Sequence, residues 1–271
     1  MVENKRETII YVVMAYLISW ASWGTMALLG LGVNDSTVSV ILYVLGGLSA
    51  TIPAFIIPFL AKKGERKAYF KRYFKVGIHV RWYIIPIAAV ILMICIPYGI
   101  ELVFFKKAAE SLAIQPLYMV IPYFAKMMIG GGIEEFGWRG IMVHNLKRVN
   151  PLLVSLIVGF FWICWHIPLF FIKDTLQYHA DFLSFAVFMF GLNLMTNILY
   201  LKTESVIPCI IFHAGFNALG NLGFWYGNCE FTANITNSLS VLVIAAVFFA
   251  VLSGKRLPKQ IRRSRILPRV T

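Results

Sequence analysis

The reading of this chain turns on Ile133-Glu134-Glu135-Phe136-Gly137-Trp138-Arg139-Gly140. The stretch closes an apolar run, residues 118–133, that looks membrane-embedded. A charged group near a bilayer centre costs about 2.5–3.5 kcal/mol even on the mildest insertion scale, so two adjacent carboxylates there must be paired, hydrated or used. On a helix Glu135 and Arg139 are four residues apart and share a face, which allows an ion pair. Glu134 lies about 100° round the axis, on another face. One acid therefore has a local partner and the other is free for chemistry. The plain alternative is a structural ion pair at a helix end.

Outward from this stretch, the composition sets the class. Of 271 residues, 59% are hydrophobic and 14% charged. That apolar share and the long uncharged runs point to an all-α, polytopic membrane bundle. Eight apolar segments are expected, near 8–31, 38–61, 82–105, 116–142, 151–172, 182–201, 206–226 and 236–253. Most reach the roughly 20 residues a spanning helix needs. The first is too long for a signal peptide and is expected to be retained. With no repeat and no low-complexity linker, the chain reads as one membrane domain, 1–271, with a motif core at 115–225 and a basic tail at 255–271.

The net charge of +13 does not imply a nucleic-acid partner, because the charges lie between the apolar runs and at the ends. With the N-terminus placed in the cytoplasm, 21 of the 25 Lys and Arg fall on the cytoplasmic side. Only Lys106, Lys107 and Lys173 fall outside, and Lys126 lies within a segment. This asymmetry predicts a multi-pass protein with both termini cytoplasmic, in the plasma membrane if the host is bacterial. Residues 62–81 alternate bases with Tyr69, Phe70, Tyr73 and Phe74, which suits an interfacial segment against anionic lipid. Cys95, Cys164, Cys209 and Cys229 show no metal or disulfide spacing and read as small apolar residues. Asn34-Asp35-Ser36 and Asn234-Ile235-Thr236 match the glycosylation sequon, a short and common pattern.

Further polar groups lie inside the apolar runs. His166 follows Trp162 by four residues, and Asn217 follows His213 by four, so each pair shares a helix face. Asn193 and Asn197 have the same spacing and read as interhelical hydrogen bonding. Two histidines, an asparagine and a free glutamate on three spans would need a common wet cavity or a bound ion. Their chemistry fits water activation. A carboxylate can take a proton from water, or a metal can lower that water's pKa. Two His and one carboxylate is a known zinc set. Asn supplies a donor for an oxyanion. His-Glu-x-x-His and Gly-x-Ser-x-Gly are both missing, and no serine nucleophile stands out.

At this point the chain resembles the CPBP intramembrane proteases, which group CAAX prenyl endopeptidases with bacteriocin-processing and Abi-type proteins. Their pattern of Glu-Glu-x-x-x-Arg, Phe-x-x-x-His and His-x-x-x-Asn falls on Glu134, Glu135 and Arg139, then His166, then His213 and Asn217. Tyr200, Thr203, Ser205 and Ile207-Pro208, ahead of His213, agree with it. The resemblance covers residues 115–225. Trp162 stands where the family has Phe. It implies an intramembrane endopeptidase in which Glu134 and His166 activate water. His213 and Asn217 would then polarise the carbonyl or, with Glu134 and His166, hold a divalent metal such as zinc. Glu135 and Arg139 would support the helix. The implied partner is a peptide or protein substrate, either a prenylated CAAX tail, a leader peptide or a membrane-anchored protein, reached through a site open to the cytoplasm. The other classes considered are a proton-coupled transporter, which usually shows inverted repeats that are missing here, and a non-catalytic immunity or scaffold protein.

One difficulty is depth. Counted from the expected span ends at about 1.5 Å per residue, Glu134 lies about 12 Å in, His166 about 22 Å and His213 about 10 Å. A shared site requires tilt or a broken helix, and Gly130-Gly131-Gly132 marks the expected kink.

Overall fold

The computed structural model describes residues 3–62, 64–104, 115–224 and 235–254. These residues form helices and turns, with no strand among them. Lys106, Lys107, Cys229, Asn234 and the basic tail 255–271 lie outside the described residues. Among the described cysteines, Cys95, Cys164 and Cys209 are free.

Helix starts follow local chemistry. In α1 (Lys5–Leu28) the Asn4 side chain accepts from the Glu7 amide at 3.1 Å, a side-chain cap for an otherwise unpaired donor. Ser36 does the same for α2 (Thr37–Leu48), accepting from the Ser39 amide. Pro53 opens α3 (Ile52–Leu60) in its first turn, where a missing N–H costs nothing. The short helix α4 (Arg66–Tyr73) and the long α5 (Arg81–Phe104) follow. After α6 (Val120–Ile129) comes α7, residues 132–146, a continuous coil that passes from 3-10 through α and π turns. Asn150 caps α8 (Pro151–Trp165) and Asp181 caps α9 (Phe182–Thr203). The chain then forms α10 (Ile207–Leu219), with Pro208 in its first turn, and α11 (Ile235–Gly254).

Five helices, α1, α5, α8 with its 3-10 extension, α9 and α11, are long and apolar enough to cross a membrane. The pair α2 and α3, bent by 52°, gives a sixth. The two other segments expected as spans are broken instead. Residues 116–142 divide at Gly130 and Gly131 into α6 and α7. In the segment expected at 206–226, α10 ends at Leu219 and a π segment follows over Gly220–Phe224. Among the described residues, length and hydropathy therefore support five or six spans, where eight are expected from sequence.

The bundle is inside-out by the standards of a water-soluble protein. Leu17, Leu45, Ile84 and Val247 stand exposed on the outer helices, a surface suited to lipid rather than water. The polar residues turn inward. The helix α9 forms the centre, buried along most of its length, and packs against α8, α10 and α11. Where α7 crosses α1 and the bend between α2 and α3, Gly137 is obligatory: a Cβ there would lie 2.2 Å from the Ala50 carbonyl oxygen and 2.3 Å from the Tyr11 hydroxyl. Small residues at such crossings let helix backbones approach closely.

Segment 62–81 is less surface-bound than its sequence suggests. Lys67, Lys71 and Phe74 are exposed, while Tyr69, Arg72 and Tyr73 are buried. The Arg72 guanidinium lies 4.0 Å from the Tyr69 ring centroid and donates from Nε to the Gly140 carbonyl at 2.7 Å. Tyr73 donates its hydroxyl to the Ala54 carbonyl. One face of α4 is thus bolted to the inner end of α7.

Candidate active site

Because α6 stops at Ile129, the chain turns at Gly130 and Gly131 and restarts as the 3-10 turn Gly132–Glu134. This break resolves the depth difficulty. It lets Glu134 meet α8 at the level where that helix ends: Glu134 Oε2 accepts from the Trp162 indole N–H at 3.0 Å. His166 is the C-cap of α8. Its Nδ1 lies 2.7 Å from the Trp162 carbonyl. A carbonyl only accepts, so Nδ1 carries the proton and Nε2 keeps its lone pair. Trp165 and Phe185 hold the ring edge to face, with centroids at 4.7 and 5.3 Å.

Glu135 has no exposure and does two things. Its Oε2 lies 3.1 Å from Arg139 Nη1, which is the expected ion pair. Its Oε1 lies 2.8 Å from His213 Nδ1. The second contact was not legible from spacing, and it corrects the view of Glu135 as support for its own helix alone. Arg139, also fully buried, donates from Nε to Asn197 Oδ1 and from Nη2 to Asn193 Oδ1, both at 3.2 Å. Its guanidinium sits 4.3 Å from the Trp162 ring centroid. Asn193 and Asn197 in turn donate to the Ser155 carbonyl and hydroxyl. The expected interhelical hydrogen bonding by the two asparagines is therefore present, and its object is Arg139. Buried charges paired in this way fix geometry, whereas a half-satisfied network is costly.

His213 and Asn217 converge on one point. A Cβ placed on Gly131 would meet Asn217 Nδ2 at 2.7 Å and His213 Nε2 at 3.0 Å. Gly131 has an extended φ of 178°, which any residue adopts, so space and not backbone strain requires glycine. The sequence signalled it only as part of a kink. Trp162 was likewise undervalued: its indole N–H reaches Glu134, which a Phe would leave without that donor.

Glu134, His166, His213 and Asn217 all line one cavity of about 530 Å³. Its walls are mostly apolar, with Trp23, Met127, Phe185 and Leu192 among them. The cavity also reaches Asp174, Thr175 and Gln177, in the connection between α8 and α9. The charge count expects that connection on the outer side. His166 lies fifteen residues along from Pro151, at the end of α8 next to that connection. Each histidine has its Nδ1 engaged, which leaves both Nε2 atoms open as ligands; among the described residues no three His, Cys, Asp or Glu side chains are grouped to hold an ion.

A helical membrane bundle with a buried glutamate, two histidines and an asparagine in one cavity is the architecture of an intramembrane hydrolase. Comparisons agree. The family described as type II CAAX prenyl endopeptidase Rce1-like matches residues 116–219. CAAX prenyl protease 2 of Methanococcus maripaludis is 25% identical over 225 residues, which cover 75% of this chain and 80% of that protein. These likenesses support an intramembrane endopeptidase; the transporter and scaffold alternatives are not favoured.

Proposed function

We propose that Glu134 and His166 activate a water molecule for attack on a peptide carbonyl, and that His213 and Asn217 hold the oxyanion. Glu134 takes the water proton as general base and returns it to the leaving amine. His166, with Nε2 free and its ring clamped by aromatic neighbours, orients the water. The substrate carbonyl carbon gains the new C–O bond, and its oxygen takes the developing charge between His213 Nε2 and Asn217 Nδ2. For Nε2 to donate, the His213 ring must carry both protons, and Glu135 supplies the counter-charge. The observation that carries this reading is the convergence of those two nitrogens over Gly131, within 3.0 Å of one point, three residues before Glu134.

The substrate is a peptide or protein end presented at the membrane. A prenylated CAAX tail is the first candidate, given the name of the Methanococcus maripaludis relative, CAAX prenyl protease 2; a leader peptide is the second. The exposed Lys67 and Lys71 of α4 would lie against anionic headgroups. The test uses purified protein in lipid bicelles with a farnesylated CAAX peptide and a leader peptide. Wild type should cleave one of them, and Glu134→Gln and His166→Ala should cleave neither. Equal cleavage by wild type and both variants would remove the mechanism. Metal analysis of the same samples addresses the ion: bound zinc lost in both His166→Ala and His213→Ala would assign it to these side chains.

A further inference from the structure

The bend between α2 and α3 reaches both proposed catalytic groups. Pro53 has no N–H to give to the Ser49 carbonyl four residues back, so the helix cannot run through. The chain turns by 52° over Ser49, Ala50 and Thr51, all three buried. A buried hydroxyl needs a partner within the protein, and the two hydroxyls of the bend find theirs in telling places. Ser49 Oγ accepts from the Trp165 indole N–H at 2.9 Å, and Trp165 immediately precedes His166. Thr51 Oγ1 donates to the Ile133 carbonyl at 3.0 Å, and Ile133 immediately precedes Glu134. Between them the Ala50 carbonyl oxygen presses on Gly137, three residues after Glu134, leaving 2.2 Å to a Cβ placed there.

Each bond acts on its neighbour by a short route. The Trp165 indole holds the His166 ring edge to face, with centroids 4.7 Å apart. Its other aromatic contacts, Trp23 and Trp138, lie at 4.7 and 6.1 Å. Packed rings can slide, whereas a hydrogen bond is directional, so Ser49 fixes how the indole is turned. The Ile133 carbonyl belongs to the 3-10 turn Gly132–Glu134, so Thr51 fixes the turn that carries Glu134. Glu134 and His166 sit on different helices, and the bend is fastened to both. We propose that Ser49 and Thr51 are positioning residues, which set Glu134 and His166 against each other through Ile133 and Trp165. What that placement serves rests on the endopeptidase reading; the placement itself does not.

The test joins kinetics to spectroscopy. Ser49→Ala and Thr51→Val each remove one hydroxyl at nearly constant shape. With the farnesylated CAAX peptide in bicelles, each should lower kcat about 10- to 100-fold, the scale of a misplacement of about 1 Å. KM should stay within about twofold, because groups that only position the reacting residues do not bind substrate. Thr51→Ser keeps the hydroxyl and should restore kcat. Thermal unfolding is followed in parallel. A loss of kcat that only tracks the folded fraction, a raised KM at unchanged kcat, or a Thr51→Ser as slow as Thr51→Val would each overturn the proposal. A second readout needs no turnover. Histidine-labelled protein in micelles gives the His166 ring signals by NMR, assigned by their loss in His166→Ala. Ser49→Ala should shift them, because a turned Trp165 indole changes the ring current at His166. Unmoved His166 signals would overturn the proposal whatever the kinetics. A wild type that cleaves no peptide, with the shift in Ser49→Ala present, would count against the endopeptidase reading and leave the positioning intact.

Discussion

His213 Nδ1 donates to Glu135 Oε1 at 2.8 Å, and the same carboxylate pairs with Arg139 at 3.1 Å. One side chain therefore couples the fold of α7 to the orientation of a histidine on α10. The adjacent Glu134 has neither duty: its hydrogen bond from a side chain comes from Trp162. The two neighbouring acids differ in what they touch, and their variants should differ accordingly.

Arg139→Ala leaves Glu135 buried with half its charge partners gone, and breaking a buried pair costs about 3–5 kcal/mol. Folded yield in detergent, read by size exclusion, should fall sharply. Glu134→Gln should keep wild-type yield. Arg139→Met combined with Glu135→Gln removes both charges and should recover yield without activity, since His213 loses its counter-charge. The division of labour is wrong if Glu134→Gln lowers yield as far as Arg139→Ala.

Gly131→Ala should separate folding from activity. The atoms its Cβ would meet, Asn217 Nδ2 and His213 Nε2, are the ends of side chains that can move aside. Thermal stability should change little. Both oxyanion donors would shift, however, and losing one such donor already costs about 10²–10³ in rate. Peptide cleavage by Gly131→Ala within a few-fold of wild type would show that the carbonyl binds elsewhere.

Much of this was legible in sequence because membrane burial makes polar residues conspicuous. Glu134, His166, His213 and Asn217 stand out in apolar runs, and i,i+4 spacing correctly paired Glu135 with Arg139. The break at Gly130 and Gly131 was also readable, since consecutive glycines weaken a helix. Contacts between segments far apart in sequence were not. Nothing in a one-dimensional pattern places His213 beside Glu135, 78 residues away, or Trp162 beside Glu134. The count of eight spans is not confirmed for a related reason: hydropathy does not register where a helix stops, so two apolar segments looked continuous and are broken. Arg72 misled as well, because a base in a basic loop looks solvated whichever way it points.

Arg72 should behave as an interior residue. Its Nε–H serves the Gly140 carbonyl within the π turn of α7, and its guanidinium covers Tyr69. Arg72→Met would orphan that carbonyl, at a cost of about 1–3 kcal/mol. Lys67→Met, on the exposed side of the same helix, should stay within about 0.5 kcal/mol of wild type. Chemical denaturation of the two variants in micelles measures the difference. Equal effects would mean that α4 is held by its aromatic residues alone.

Orientation follows from charge, and reporter fusions test it. Fusions after Thr37, Arg72 and Thr175 should read outside, inside and outside. The Arg72 fusion is decisive, because eight of the cytoplasmic bases lie in residues 62–81. An external signal there would invert the bundle and place the connection at Asp174 on the cytoplasmic side, giving the cavity the cytoplasmic opening first expected of it.

The last prediction concerns how the catalytic groups combine. Glu134, His166, His213 and Asn217 face one cavity, and in the proposed mechanism each serves the same bond-making step. Glu134→Gln, His166→Ala and His213→Ala should each abolish cleavage in folded protein, and Asn217→Ala should slow it by about 10²–10³. Groups that act as a unit are not additive, because once one is lost the others have no transition state to stabilise. The double variant Glu134→Gln with Asn217→Ala should therefore be little slower than Glu134→Gln alone, measured as single-turnover cleavage of the CAAX peptide. Independent sites would instead multiply their losses. A double variant a further hundredfold slower than Glu134→Gln would show that a second group activates the water and that Asn217 still serves it. That result would move the general base away from Glu134 and onto the free Nε2 of His166.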